Sequence, residues 1–101
     1  MSQAIYYCSY KLKKNASVPD FLAAAKKLND EHIAKQKGYI SWQQAVDGDR
    51  WADLCTFESM DDLNGFLEAS ATPGENALHF YSFINMPSCK AHRFSVERSY
   101  S

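Results

Sequence analysis

The first stretch, AIYYCSYKL (Ala4–Leu12), mixes Ile, Tyr and Cys with no helical spacing, which predicts a strand. The period then changes. Phe21, Ala25, Leu28 and His32 recur every three or four residues, with Leu22 beside them and Lys and Asn on the other face, which predicts a helix. Ser17 is its N-cap, Pro19 suits its first turn, Asp20 follows three after the cap, and Gly38 supplies its stop. Residues 39–46 and Arg50–Phe57 predict two further strands. Asp47-Gly48 between them is a type I′ hairpin signature, because both central residues of that turn need positive φ. Ser59-Met60-Asp61-Asp62 repeats the capping pattern before a second helix with the stripe Leu63, Phe66 and Leu67. Thr72-Pro73-Gly74 interrupts that helix. A second helical piece over 76–84 carries Ala77, Phe80, Tyr81 and Ile84 before Asn85-Met86-Pro87 ends it. In the last strand, 90–100, His92, Phe94 and Val96 alternate with Arg93, Ser95 and Glu97.

The resulting order is βαββαβ, the split βαβ or ferredoxin-like arrangement. This predicts an α+β fold over residues 1–101, with an antiparallel four-stranded sheet and its helices on one face. A two-residue Asp47-Gly48 loop sets Trp42 opposite Asp53 and Gln44 opposite Trp51. One sheet face then shows Ile40, Trp42, Gln44, Val46, Trp51, Asp53, Cys55 and Phe57. The other shows Tyr39, Ser41, Gln43, Ala45, Ala52, Leu54 and Thr56. The small residues of the second set suit closely packed helices. The aromatic set then needs another cover, and a second copy of the chain, sheet against sheet, is the simplest. An acid among large rings is costly in a dry core and tolerable in a partly open cavity, so Asp53 is a candidate for chemistry. The alternative is that it pairs with Arg50, Arg93 or Arg98 or caps a strand edge.

Charge and composition narrow the classes. Eleven basic residues against twelve acidic ones give a formal net charge of −1, and no basic stripe supports nucleic-acid binding. No apolar run approaches the ~20 residues of a membrane span, and the N-terminus reads as a strand rather than a leader. Three cysteines, Cys8, Cys55 and Cys89, match no zinc or redox spacing and favour reduced thiols in a cytoplasmic protein. His32, His79 and His92 show no metal-ligand spacing, and no metal site is expected. Six Tyr, six Phe and two Trp suffice to line an apolar pocket. Tyr7, Trp42, Trp51 and Phe57 are suited to stacking a flat ligand or, alternatively, to packing an interface.

The element order, with GYISWQQAVDGDRWADLCTFESMDDL at its centre, resembles the dimeric α+β barrel family, and within it the antibiotic-biosynthesis-monooxygenase type of domain. The Gly38 start, the Asp-Gly hairpin and the Phe57-Glu58-Ser59 step into the second helix carry the likeness across the chain. The resemblance implies a homodimer whose sheets form a barrel, with an apolar pocket beneath each sheet. It also implies one of several activities. Haem-degrading members use an Asn on the first strand, a Trp on the second helix and a His beyond it. Here IYYCSYKL has no Asn, Phe66 stands at the Trp position, and His79 is the matching His. Cofactor-free monooxygenases acting on phenols or quinols use an Asn and a Trp on the second helix and an Arg on the last strand. Asp62, Phe66 and Arg93 stand at these positions, and only the Arg is kept.

Three readings therefore stand. One is a cofactor-free monooxygenase for a small aromatic compound, with Asp53 or His79 as proton acceptor and Tyr7, Trp42, Trp51, Phe57, Phe66 and Arg93 around the ligand. The others are a non-catalytic binding or stress-related dimer and a haem-binding protein using His79.

Overall fold

The computed structural model describes residues 2–101. The chain forms β1 (Ala4–Leu12), α1 (Val18–Glu31), a short 3-10 turn (Ile33–Lys35), β2 (Tyr39–Asp47), β3 (Arg50–Phe57), α2 (Met60–Ala69), α3 (Glu75–Tyr81) and β4 (Ile84–Ser95). The four strands make one antiparallel sheet in the order β2-β3-β1-β4, as the ferredoxin-like reading expects. Both predicted N-caps are formed. Ser17 Oγ accepts from the Asp20 amide at 3.3 Å and Ser59 Oγ from the Asp62 amide at 3.1 Å.

Three local expectations change. α1 stops at Glu31 with His32 as its cap, and Gly38, at φ +79°, instead turns the chain into β2. A Cβ at Gly38 would overlap the Asp62 side chain, so both the dihedral and the space require glycine. The hairpin loop is Gly48-Asp49, not Asp47-Gly48, because Asp47 pairs with Arg50. Positive φ falls on Gly48 alone, the glycine position of a type II′ turn. Finally, β4 begins at Ile84 rather than residue 90 and ends at Ser95. Ile84 and Asn85 already pair with Leu12 and Lys11, and the segment around Pro87 is an irregularity inside the strand.

The shifted hairpin pairs Gln44 with Asp53 and Trp42 with Cys55. A slip of two residues preserves the faces, so the two predicted sets hold apart from the start of β2, where a bulge between Tyr39 and Ser41 leaves Ile40 exposed and turns Tyr39 onto Phe57 and the core. What does not hold is which set the helices cover. They lie over the aromatic face. Phe21 of α1 meets Trp51 edge-on at 5.2 Å, and Phe80 of α3 meets Trp42 edge-on at 5.5 Å. Phe66 of α2 stacks on Phe57 at 5.2 Å. The physical reason is area: the helices present large rings of their own, and ring against ring buries more apolar surface than ring against alanine. Tyr10, Phe21, Phe57 and Leu63 are the largest fully buried side chains of that layer. The face left open carries Ile5, Tyr7, Leu54, His92 and Phe94.

Candidate functional site

The layer between sheet and helices is not filled. A cavity of about 240 Å³ opens between the β1–β3 floor and the helices, lined mainly by Tyr6, Tyr10, Trp42, Asp53, Phe66 and Tyr81. An engineered cavity of roughly 150 Å³ admits benzene, so this one has room for one or two fused rings. Its wall is mostly apolar and holds one carboxylate.

That carboxylate is Asp53, 7% exposed. The antiparallel register places Cys8 beside it on β1 and Gln44 beside it on β2, with Trp42, Tyr10 and Cys55 on the same face around it. The Tyr10 hydroxyl donates to Asp53 Oδ1 at 2.9 Å. The N–H groups of Trp42 and Gln44 also lean toward the carboxylate and favour its charge. Neither reaches hydrogen-bond geometry, and Trp42 Nε1 and Gln44 Nε2 are buried donors without a partner. Burial is the larger effect: it pushes Asp53 up to about 6, against the pull of Tyr10, Trp42 and Gln44. The same desolvation, with the Asp53 charge added, holds the Tyr10 hydroxyl firmly protonated, so Tyr10 is a donor to Asp53 and not a base. The ion-pair alternative is not realised. Arg50 Nε donates to Ser9 Oγ at 2.7 Å, Arg93 Nη1 donates to Asn64 Oδ1 at 2.7 Å, and among the described residues no cation bridges to Asp53.

Of the residues singled out in the sequence, the cavity brings together Asp53, Trp42 and Phe66. Phe57 and Trp51 lie on the same side of the sheet but pack the core, behind Phe66 and Phe21. Tyr7 points to the open face, where it meets His92 and Phe94 at 6.4 and 6.5 Å. Arg93 sits with Asn64 on an exposed rim over α2. His79 lies on the solvent side of α3 against Phe83, at 5.2 Å, and is outside the cavity. The haem reading through His79 therefore does not fit: its ring faces away from a space that is small for a macrocycle and has no histidine among its lining residues. No cluster of three metal-binding side chains occurs among the described residues.

Sequence reasoning missed Tyr10, Tyr6, Tyr81, Cys8 and Cys89. The alternation in β1 already put Tyr6, Cys8 and Tyr10 on one side, and the ferredoxin-like order makes β1 the neighbour of β3. The absent piece was the β1–β3 register, for which no hairpin turn exists to count from.

No protein-family model matches this chain, and no curated protein matches it. Solved structures do. SnoaB, a cofactor-independent oxygenase from Streptomyces nogalater, superposes with a TM-score of 0.74 at 12% identity, over 98% of this chain and 97% of that one. ActVA-Orf6, a monooxygenase of Streptomyces coelicolor crystallised with the ligand nanaomycin D, superposes with a TM-score of 0.74 at 16% identity, over 99% and 92% of the two chains. A putative antibiotic biosynthesis monooxygenase from Bacillus cereus gives 0.67 at 13% identity, over 100% and 99%. The fold of the antibiotic-biosynthesis-monooxygenase type of domain is thus the fold of this chain, over nearly its whole length.

Proposed function

We propose, for a chain with the fold of the antibiotic-biosynthesis-monooxygenase proteins, that the cavity binds a one- or two-ring phenolic compound and that Asp53 accepts its proton in a cofactor-free oxygenation. The carrying observation is the buried Asp53–Tyr10 pair in the wall of an otherwise apolar cavity. Tyr10 occupies Oδ1 and leaves Oδ2 for the ligand hydroxyl. A base near 6 against a phenol near 10 leaves a proton transfer of about 4 units uphill, some 5 kcal/mol, which favours acidic phenols and quinols as substrates. The partnerless N–H groups of Trp42 and Gln44 are placed to share the stabilisation of negative charge near Asp53.

The reaction balances without a bound cofactor. The phenolate adds dioxygen at a ring carbon that bears hydrogen. The peroxide takes up a proton, its O–O bond breaks, and water leaves with the ring hydrogen lost as a proton. A naphthol plus dioxygen then gives a naphthoquinone plus water. The apolar wall holds the ring and keeps bulk water from the anion. The test is oxygen uptake with 1-naphthol, expected at one dioxygen per quinone formed and lost in Asp53→Asn. Quenching of protein fluorescence by 1-naphthol without oxygen uptake would instead make the chain a binding module. Absence of both quenching and oxygen uptake would overturn the phenol assignment.

A homodimer through the open sheet face accompanies this reading. Phe94 is 52% exposed there and forms a ring cluster with Tyr7 and His92. Ile5 and Leu54 lie beside them on the same face of adjacent strands, and such an apolar patch favours a second copy over water.

A further inference from the structure

Two thiols share the side of the cavity nearest β4. Cys8 on β1 stands opposite Ala91 on β4, and Cys89, two residues before Ala91, belongs to the same sheet face. Both line the cavity. Both are free, as is Cys55.

The ladder breaks beside Cys89. Ser9 pairs with Lys90 and Lys11 with Asn85, so residues 86–89 of β4 stand opposite Tyr10 alone. This bulge is held by side chains in place of regular ladder bonds: the Lys11 amide donates to Ser88 Oγ at 2.8 Å, and Arg50 Nη2 donates to the Ser88 carbonyl at 3.3 Å. Met86, within it, is exposed and also borders the cavity. Diagonal neighbours in a regular ladder stand about 7–8 Å apart at Cα. A disulfide needs less than about 7 Å. In a regular strand that gap would persist. In a bulge, Cys89 can move inward with few backbone bonds to break.

We propose that Cys8 and Cys89 form a reversible disulfide that draws the β4 bulge over the cavity and closes it under oxidation. With hydrogen peroxide as oxidant, Cys89 reacts first. Burial pushes its thiol up and the Asp53 charge adds to that, but the neighbouring Cys8 thiol and the charge of Arg50 act the other way. Cys8, by contrast, is pushed up to about 11 by burial, with the charges of Cys89 and Asp53 added. The Cys89 sulfur attacks one peroxide oxygen, the O–O bond breaks, and the departing oxygen leaves as water. Cys89 is then a sulfenic acid. The Cys8 sulfur attacks Cys89 Sγ, the S–O bond breaks, and a second water carries off the Cys8 proton. Two thiols have lost two electrons, and peroxide has become two waters. Cys55, buried and pushed up to about 12, takes no part.

The test treats the full chain with hydrogen peroxide, alkylates the remaining thiols under denaturing conditions and weighs the product. The expected result is loss of two hydrogens, a single alkylated cysteine at Cys55, a Cys8–Cys89 linked peptide on digestion, and reversal by dithiothreitol. Cys8→Ser and Cys89→Ser should each abolish the loss and Cys55→Ser should leave it. Three alkylated thiols, or a bond that involves Cys55 or a second chain, overturn the proposal. Closure is read without any cavity ligand, by acrylamide quenching of Trp42 in a Trp51→Phe background. Reduced quenching after oxidation supports it, and unchanged quenching overturns it.

Discussion

Asp53 concentrates the residue-scale chemistry, because burial has moved its titration into the range where biology works. Its folded value of about 6 lies above the ordinary 3.8, so the folded state holds the proton more tightly than the unfolded chain does. The associated stability is fully present below about 3.8 and is lost as pH rises through about 6. The shift corresponds to about 3 kcal/mol. Asp53→Asn should remove that loss, so the difference in urea-unfolding free energy between variant and parent should grow in favour of the variant between pH 4 and 7. Oxygenation should show the opposite sense: the base is the ionised form, so turnover rises with pH through about 6. Tyr10→Phe deletes the one hydrogen bond that Asp53 accepts, and the midpoint of the pH–rate profile should move upward. A profile unchanged by Tyr10→Phe would mean that Asp53 is not the titrating base.

At the scale of elements, two short segments hold the helices in register with the sheet. Ser59 ends the β3 step and caps α2 through the Asp62 amide, and α2 carries Phe66 into the cavity wall. Ser59→Ala should cost about 1 kcal/mol of stability, read as a lower urea midpoint at constant slope. Gly38 sits at the start of β2 against the same Asp62, with its carbonyl accepting from the Glu58 amide at 2.8 Å. Gly38→Ala must adopt a left-handed dihedral and displace Asp62. The dihedral alone costs about 1–2 kcal/mol, so the loss should exceed that of Ser59→Ala. Equal stability for Gly38→Ala and parent would contradict the packing described.

For the whole molecule, the sheet divides its labour. One face and three helices enclose the core and the cavity, and the other face carries Tyr7, Leu54, His92 and Phe94 outward. The homodimer proposed above uses this second face, not the aromatic face under the helices. Phe94→Lys should yield monomers in sedimentation at concentrations where the parent sediments as a dimer, with the near-ultraviolet signature of the core intact. A parent that sediments as a single chain at those concentrations would remove the homodimer.

The hydrophobic periods and caps of the sequence determined the element order, the ferredoxin-like sheet and both helix starts, because these depend on contacts within a few residues. The hairpin also determined which β2 and β3 residues share a face, because a slip by two leaves pleat parity unchanged. Asp53 was legible as an acid among rings for the same reason. Only the tertiary structure decided which face the helices take, since that is settled by the total area that Phe21, Phe66 and Phe80 bury against Trp51, Phe57 and Trp42. It alone brought Tyr10 to Asp53 and set Cys8 and Cys89 in the wall of one cavity, pairs 43 and 81 residues apart in the chain. Strands joined by a helical crossover carry no local signal of register, and a helical period does not say on which side of a sheet the helix will rest.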